Sequence, residues 1–225
     1  MLVLVWLSLL VALLLIVLLP VLFAGVMAVS LAKLHLSPGI ALLLVLAVII
    51  GGFINIPIRR IQRSVTVDTN PLSVLGLHDL WPELRRFSSE VIVAVNLGGC
   101  VIPTGLALYE LANIAILKPH LLGAVGFACV ANVAACYFLA RPIPGLGIGL
   151  PGLVPGCIAA VAALLAAPDQ APPVAFIAGV AGPLVGADLL HLKEVEKVPS
   201  GILSIGGAGT FDGIILSGVI AAYLA

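Results

Sequence analysis

Gly182-Pro183-Leu184-Val185-Gly186-Ala187-Asp188-Leu189-Leu190-His191 and, a short loop later, Ile205-Gly206-Gly207-Ala208-Gly209-Thr210-Phe211-Asp212-Gly213 decide how this chain folds. Each stretch belongs to an apolar run long enough to enter a bilayer, and each carries one aspartate. A charge at the centre of a membrane helix costs about 2.5–3.5 kcal/mol on insertion scales. Two carboxylates on consecutive apolar segments therefore need a reason to be there.

Composition sets the class. Of 225 residues, 62% are hydrophobic and only 9% charged, against about 45–50% and about 25% in a soluble domain. The chain reads as one polytopic, all-α integral membrane domain over residues 1–225, with the lipid bilayer as its first partner. The formal charge is zero, so bulk charge calls for no nucleic acid or acidic partner. Cys100, Cys129, Cys136 and Cys157 lie in apolar segments without CxxC-type pairs; they read as small buried residues, with neither a disulfide framework nor a zinc site. No motif calls for a cofactor, and the oligomeric state has no signal here.

Seven apolar segments are expected, at about 2–29, 38–57, 91–115, 121–140, 153–167, 173–191 and 202–224. The first is nearly pure Leu and Val, begins without a basic leader, and reads as a retained anchor that Pro20 kinks. The second ends in Gly51-Gly52-Phe53-Ile54-Asn55-Ile56-Pro57, where Asn55 is a candidate polar site residue. The third is interrupted by Asn96-Leu97-Gly98-Gly99 and Pro103-Thr104-Gly105. Such breaks are tolerated at membrane depth only where protein or a wet cavity satisfies the freed backbone, which makes Asn96 and Thr104 candidates too. Near its far end, Glu110 is expected to pair with Lys118. Arg141 to Gly152, rich in Pro and Gly, reads as a re-entrant loop or a tight interfacial turn.

Residues 58–90 form the one long loop. Val65 and Val67 alternate with polar residues, and Asn70-Pro71 marks a turn. Leu77, Leu80, Trp81, Leu84 and Phe87 then recur at helical spacing, which predicts an amphipathic helix lying in the headgroups. Arg59, Arg60, Arg63, Arg85, Arg86, Arg141, Lys193 and Lys197 fall in one set of alternate loops, and only Lys33 and Lys118 in the other. The positive-inside rule puts the N-terminus in the cytoplasm and the C-terminus outside, in a cytoplasmic (inner) membrane.

An internal hairpin repeat is suggested by Asn96-Leu97-Gly98-Gly99 through Gly105 and Leu108, which align with Ser204-Ile205-Gly206-Gly207 through Gly213 and Leu216. Duplicated membrane units place their site between the halves. In this alignment Thr104 is the counterpart of Asp212, so only the second unit carries a carboxylate pair.

Asp188 is expected one turn from the end of an inward helix, and Asp212 at a similar depth on the next outward one. Two close carboxylates share a proton, as in aspartyl proteolysis. The leading expectation is a membrane-embedded hydrolase of aspartyl type, acting on a membrane-embedded substrate, with Asp188 and Asp212 as its acids and Gly207, Gly209, Thr210 and His191 lining the site. The pair resembles the GxGD intramembrane aspartyl proteases (presenilin, signal peptide peptidase and prepilin peptidase types). That resemblance implies Asp188 as the first aspartate and Gly207-Ala208-Gly209 as the glycines before the second, although Thr210 and Phe211 stand between them and Asp212. Over the whole chain, Phe53-Ile54-Asn55-Ile56-Pro57, Asn96-Leu97-Gly98-Gly99 and Gly207-Ala208-Gly209-Thr210-Phe211-Asp212-Gly213 resemble the membrane family called domain of unknown function 1614, which implies no activity. The same acids also suit a small-solute or ion transporter whose broken helices hold proton or cation carriers. Asp188, His191 and Asp212 as a metal site form a thinner reading without a recognised motif. A structural role needs neither acid; Asp212 would then cap its own segment.

Overall fold

The computed structural model describes residues 2–68, 84–143, 147–192 and 202–225. The chain is mainly helical, in seven described α-helices: α1 (Leu2–Lys33), α2 (Pro38–Gly51), α3 (Ile102–Leu117), α4 (Leu122–Leu139), α5 (Val154–Ala166), α6 (Ala171–Ala181) and α7 (Gly213–Leu224). Four helical stretches are long and apolar enough to cross a membrane: Trp6–Lys33, Leu97–Leu117, Pro119–Leu139 and Pro168–Leu189. Pro38–Gly51, Val154–Ala166 and Gly213–Leu224 are equally apolar but shorter. At 1.5 Å per residue these three measure only about 18–21 Å, against a hydrocarbon core of about 30 Å.

The helix ends gather on two faces. On one, Lys33 Nζ at the end of α1 donates to Tyr223 O at the end of α7 (2.6 Å), and Lys118 after α3 donates to Gln170 before α6. On the other, the end of α2 meets the chain entering α3, and Tyr137 near the end of α4 lies against His191.

The core is built on α6. Val174, Ala175, Phe176 and Ala178 are fully buried, with α3, α4, α5 and α7 around them. Small residues allow the close approach. A Cβ on Gly179 would lie 2.8 Å from Gly218 Cα on α7, and one on Gly156 of α5 would lie 3.1 Å from Ser217 O. Close backbone contact through small residues replaces the hydrophobic drive that lipid cannot supply. The first half of α1 stays outside, with Trp6, Leu10 and Leu13 exposed; only its later turns bury Met27, Ser30 and Leu31. There Ser30 Oγ lies 2.9 Å from Val219 O and ties α1 to α7.

Strands join the helices on the second face, where an all-α bundle was expected. β1 (Asn55–Asp68) and β2 (Leu84–Asn96) form a long antiparallel hairpin, from Asn55↔Asn96 to Asp68↔Leu84. The register shifts between Pro57 and Arg59, where proline has no N–H for the ladder. β5 (Ile202–Ile205) pairs in parallel with Ile92–Val95 of β2. Leu84 and Phe87 therefore stand on a strand and not on an amphipathic helix; Leu77, Leu80 and Trp81 lie outside the described residues. A ladder along the whole of β2 outweighs an isolated helix of about three turns, whose nucleation is costly. Residues 91–96 and 202–205 likewise belong to the sheet. Around the Pro-rich stretch, β3 (Arg141–Ile143) and β4 (Gly147–Gly149) form a small antiparallel ribbon.

Candidate functional site

Two breaks in helical order, ahead of α3 and of α7, pack together beneath the sheet, and a third, at the end of α6, lies against α4 and α7. Between β2 and α3 the chain winds as a π-helical turn, Leu97–Val101. The α6 helix continues past its Pro183 as a second π-wound stretch, Gly182–Leu189. Between β5 and α7 it passes through a turn with positive φ at Gly206 (73°) and Gly209 (63°), then one 3-10 turn, Gly209–Phe211. Glycine is required at this meeting point. A Cβ on Gly98 would run into Val48 O and Gly52 N, and one on Gly99 into Gly206 O. The left-handed backbone of Gly206 also lies against Cys100.

Asp188 is carried by the π-wound end of α6 and is half-buried; among the described residues its carboxylate accepts no hydrogen bond. Asp212 caps α7. Its Oδ1 accepts the Ile214 N–H (3.0 Å) and its Oδ2 the Ala208 N–H (3.3 Å). The sequence placed an aspartate after a glycine-loosened stretch, and capping is what aspartate does at a helix start. The two carboxylates lie within electrostatic reach of each other, and Cys100 lies within reach of both. Cys100, which the sequence reading took only as core, therefore belongs to the same neighbourhood.

The other candidates divide. Gly209 packs on Gly52, and Thr210 also lies against Gly52 at the end of α2. Gly207 lies on Ser204 and faces solvent. Asn96 is fully buried and structural in character: its Nδ2 donates to Gly52 O (2.8 Å) and Asn55 Oδ1 (3.1 Å), while its Oδ1 accepts the Gly99 N–H (2.7 Å). Ser204 Oγ donates to the same Asn55 Oδ1 (2.6 Å). Asn55, Asn96 and Ser204 therefore lock α2, β2 and β5 together. Thr104 differs, for its buried Oγ1 has no nitrogen or oxygen partner and lies beside the Cys100 thiol.

His191 turns toward α4. Its Nδ1 sits 3.1 Å from both Gly186 O and Ala187 O, and its ring stacks on Tyr137 with centroids 4.7 Å apart. One ring nitrogen is thus engaged with the end of the π-wound stretch. Among the described residues no three His, Cys, Asp or Glu side chains converge to hold a metal ion. Asn132, overlooked in the sequence, is fully buried on α4 and donates to Ala178 O (2.8 Å), beside the irregular helix around Pro183. The signal was present: a lone asparagine in an apolar segment, with a proline-broken neighbour to satisfy.

Residues 49–224 match the family model described as "Protein of unknown function (DUF1614)". No curated protein and no solved structure matches the chain. The matched region takes in the site, the sheet and every helix after α2, and the chain belongs to this family.

Proposed function

For this DUF1614 chain, we propose a membrane-embedded hydrolase of aspartyl type, an intramembrane peptidase in which Asp188 and Asp212 work as a pair. The observation that carries this reading is that the two carboxylates, on separate interrupted segments, lie within electrostatic reach of each other. Carboxylates brought into contact hold one proton between them. The ionised acid takes a proton from a water; the protonated one gives its proton to the carbonyl oxygen of the scissile bond. The tetrahedral intermediate then collapses, and the leaving amine takes up a proton. Asp188, with its oxygens unengaged, is free to meet the water. Asp212, tethered by two backbone N–H groups, is fixed in place. β5 runs straight toward Asp212, and among the described residues no strand covers its outer edge. An extended peptide could pair there by strand addition. Our reading includes seven spans in a cytoplasmic membrane, with the sheet and N-terminus on the cytoplasmic side. In it the three shorter helices cross through the irregular turns that extend them.

The test is cleavage of membrane-spanning peptides by the purified chain in lipid nanodiscs, read by mass spectrometry. Wild type is expected to cleave, and Asp188→Asn and Asp212→Asn to leave no product. Cleavage that survives both substitutions sinks the proposal. A second reading, a proton- or cation-coupled transporter, is favoured by one observation: on α3, both Thr104 Oγ1 and Glu110 Oε1 are buried without a nitrogen or oxygen partner. They lie on the way from the aspartates to the opposite face. Solute-driven proton movement in proteoliposomes, lost in Asp188→Asn, would decide for it.

A further inference from the structure

On the face opposite the aspartates, the turn that follows α1, the end of α3 and the start of α6 leave a pocket of about 250 Å³ between them. That is room for about eight waters at roughly 30 Å³ each. Its wall combines apolar Leu34 and Ile114 with Tyr109, Glu110, Asn113 and Lys118. Glu110 is the decisive member. It is only 5% exposed, and its Oε1 has no hydrogen-bond partner. A buried acceptor left unpaired carries its full desolvation cost, and more so when it belongs to an ionisable group. The partner expected from the sequence does not serve, because Lys118 Nζ donates to Gln170 Oε1 across the pocket rim. Among the described residues Glu110 has no other donor.

The surroundings indicate what would complete it. The last carbonyls of α3, which ends at Leu117, lie at the same end of the pocket and carry the negative pole of the helix. Ca²⁺ or Mg²⁺ would need six or more oxygen ligands, and the pocket supplies one carboxylate. A primary ammonium needs three acceptors, and Glu110, Asn113 and Tyr109 offer them in kind. Leu34 and Ile114 leave apolar surface for a short carbon chain.

We propose that this pocket is a binding site for a small ligand bearing a primary ammonium group, with Glu110 as its counter-charge. The site is separate from the aspartate pair, and its occupancy does not depend on hydrolysis or transport. The probe is n-butylammonium, titrated by calorimetry into the full chain in detergent micelles, with n-butanol as the uncharged control. Saturable one-to-one binding is expected in the millimolar range for so small a probe. Butanol should not compete, and Glu110→Gln should weaken binding at least about tenfold. Equal binding by the Gln variant, equal competition by butanol, or no saturation overturns the proposal. Should the variant fail to fold, butyltrimethylammonium, which keeps the charge but has no N–H to donate, is titrated into the wild type instead. Binding at least about tenfold weaker than that of butylammonium supports the site, and equal binding overturns it.

Discussion

Two units of the molecule share one plan and differ in where they place a polar cap. β2 leads through Gly98 and Gly99 into α3; β5 leads through Gly206 and Gly207 into α7. The two strands are parallel neighbours, and Gly99 of one glycine pair lies against Gly206 of the other. In the first unit Asn96 caps at once: its Oδ1 takes the Gly99 N–H, and the chain winds directly into a helix. The second unit stays irregular through two positive-φ glycines, and the cap, Asp212, comes only at the start of α7. An early cap is spent inside the core, where Asn96 is fully buried and bonded on both sides. The late cap stays half-buried, within electrostatic reach of Asp188. The same scaffold thus yields a structural lock in one unit and a chemically available acid in the other.

The strongest way to break this symmetry is at the glycine contact. Gly99→Ala drives a methyl into the carbonyls of Gly206 and Gly209, which cannot step aside as a side chain can. The expected loss is about 3 kcal/mol or more, read as a collapse of thermal stability in detergent. Gly105, six residues on, has open space around its would-be Cβ. Gly105→Ala should therefore stabilise α3 by about 0.5–1 kcal/mol. If both substitutions cost the same, the glycine contact is not what joins the units.

Next in size is the lock itself. Asn96→Ala removes the partner of Gly52 O, of Asn55 Oδ1 and of the Gly99 N–H. Leaving buried groups unpaired should cost about 2–3 kcal/mol. The late cap is cheaper. Asp212→Ala should cost about 1 kcal/mol, while Asp212→Asn keeps an oxygen for the Ile214 N–H and should melt close to wild type. This pair separates the two roles of Asp212. Loss of cleavage in a normally melting Asn variant assigns the activity to the carboxylate, whereas a large drop in melting temperature would show that the charge is needed for the fold.

The membrane class and the helical segments were legible because apolar run length is a local property of the chain. The sheet was not. β2 and β5 pair across more than a hundred residues, and Val91-Ile92-Val93 and Ile202-Leu203 read equally well as the starts of membrane helices. Leu84 and Phe87 misled for a related reason: over a few residues, apolar spacing satisfies a helix and a strand alike. The π-wound stretches left a trace only in Pro183 and in Gly98-Gly99, which announce a break without saying how the chain repairs it. Glu110 was noticed, but its expected partner was wrong, since Lys118 reaches Gln170 just as readily.

The finest probe of the comparison is Thr104, which aligns with Asp212 when the glycine pairs are superposed. In the second unit that position opens a helix and finds free N–H groups at Ala208 and Ile214. In the first, the helix has already begun at Ile102, so backbone N–H groups around Thr104 go into the helix and its hydroxyl is left buried without a nitrogen or oxygen partner. Thr104→Val keeps the shape and deletes that hydroxyl. Stability should hold or rise by up to about 1 kcal/mol, because a buried polar group without a partner contributes cost and no bond. Thr104→Asp should do the reverse, for a carboxylate there meets no free donor of the kind that holds Asp212. Melting of the two variants side by side checks both signs. A clear loss in the Val variant would mean that the hydroxyl has a partner, most simply the Cys100 thiol one turn back. The first unit would then hold a polar group in readiness as the second does, and the contrast between them would narrow to one of charge.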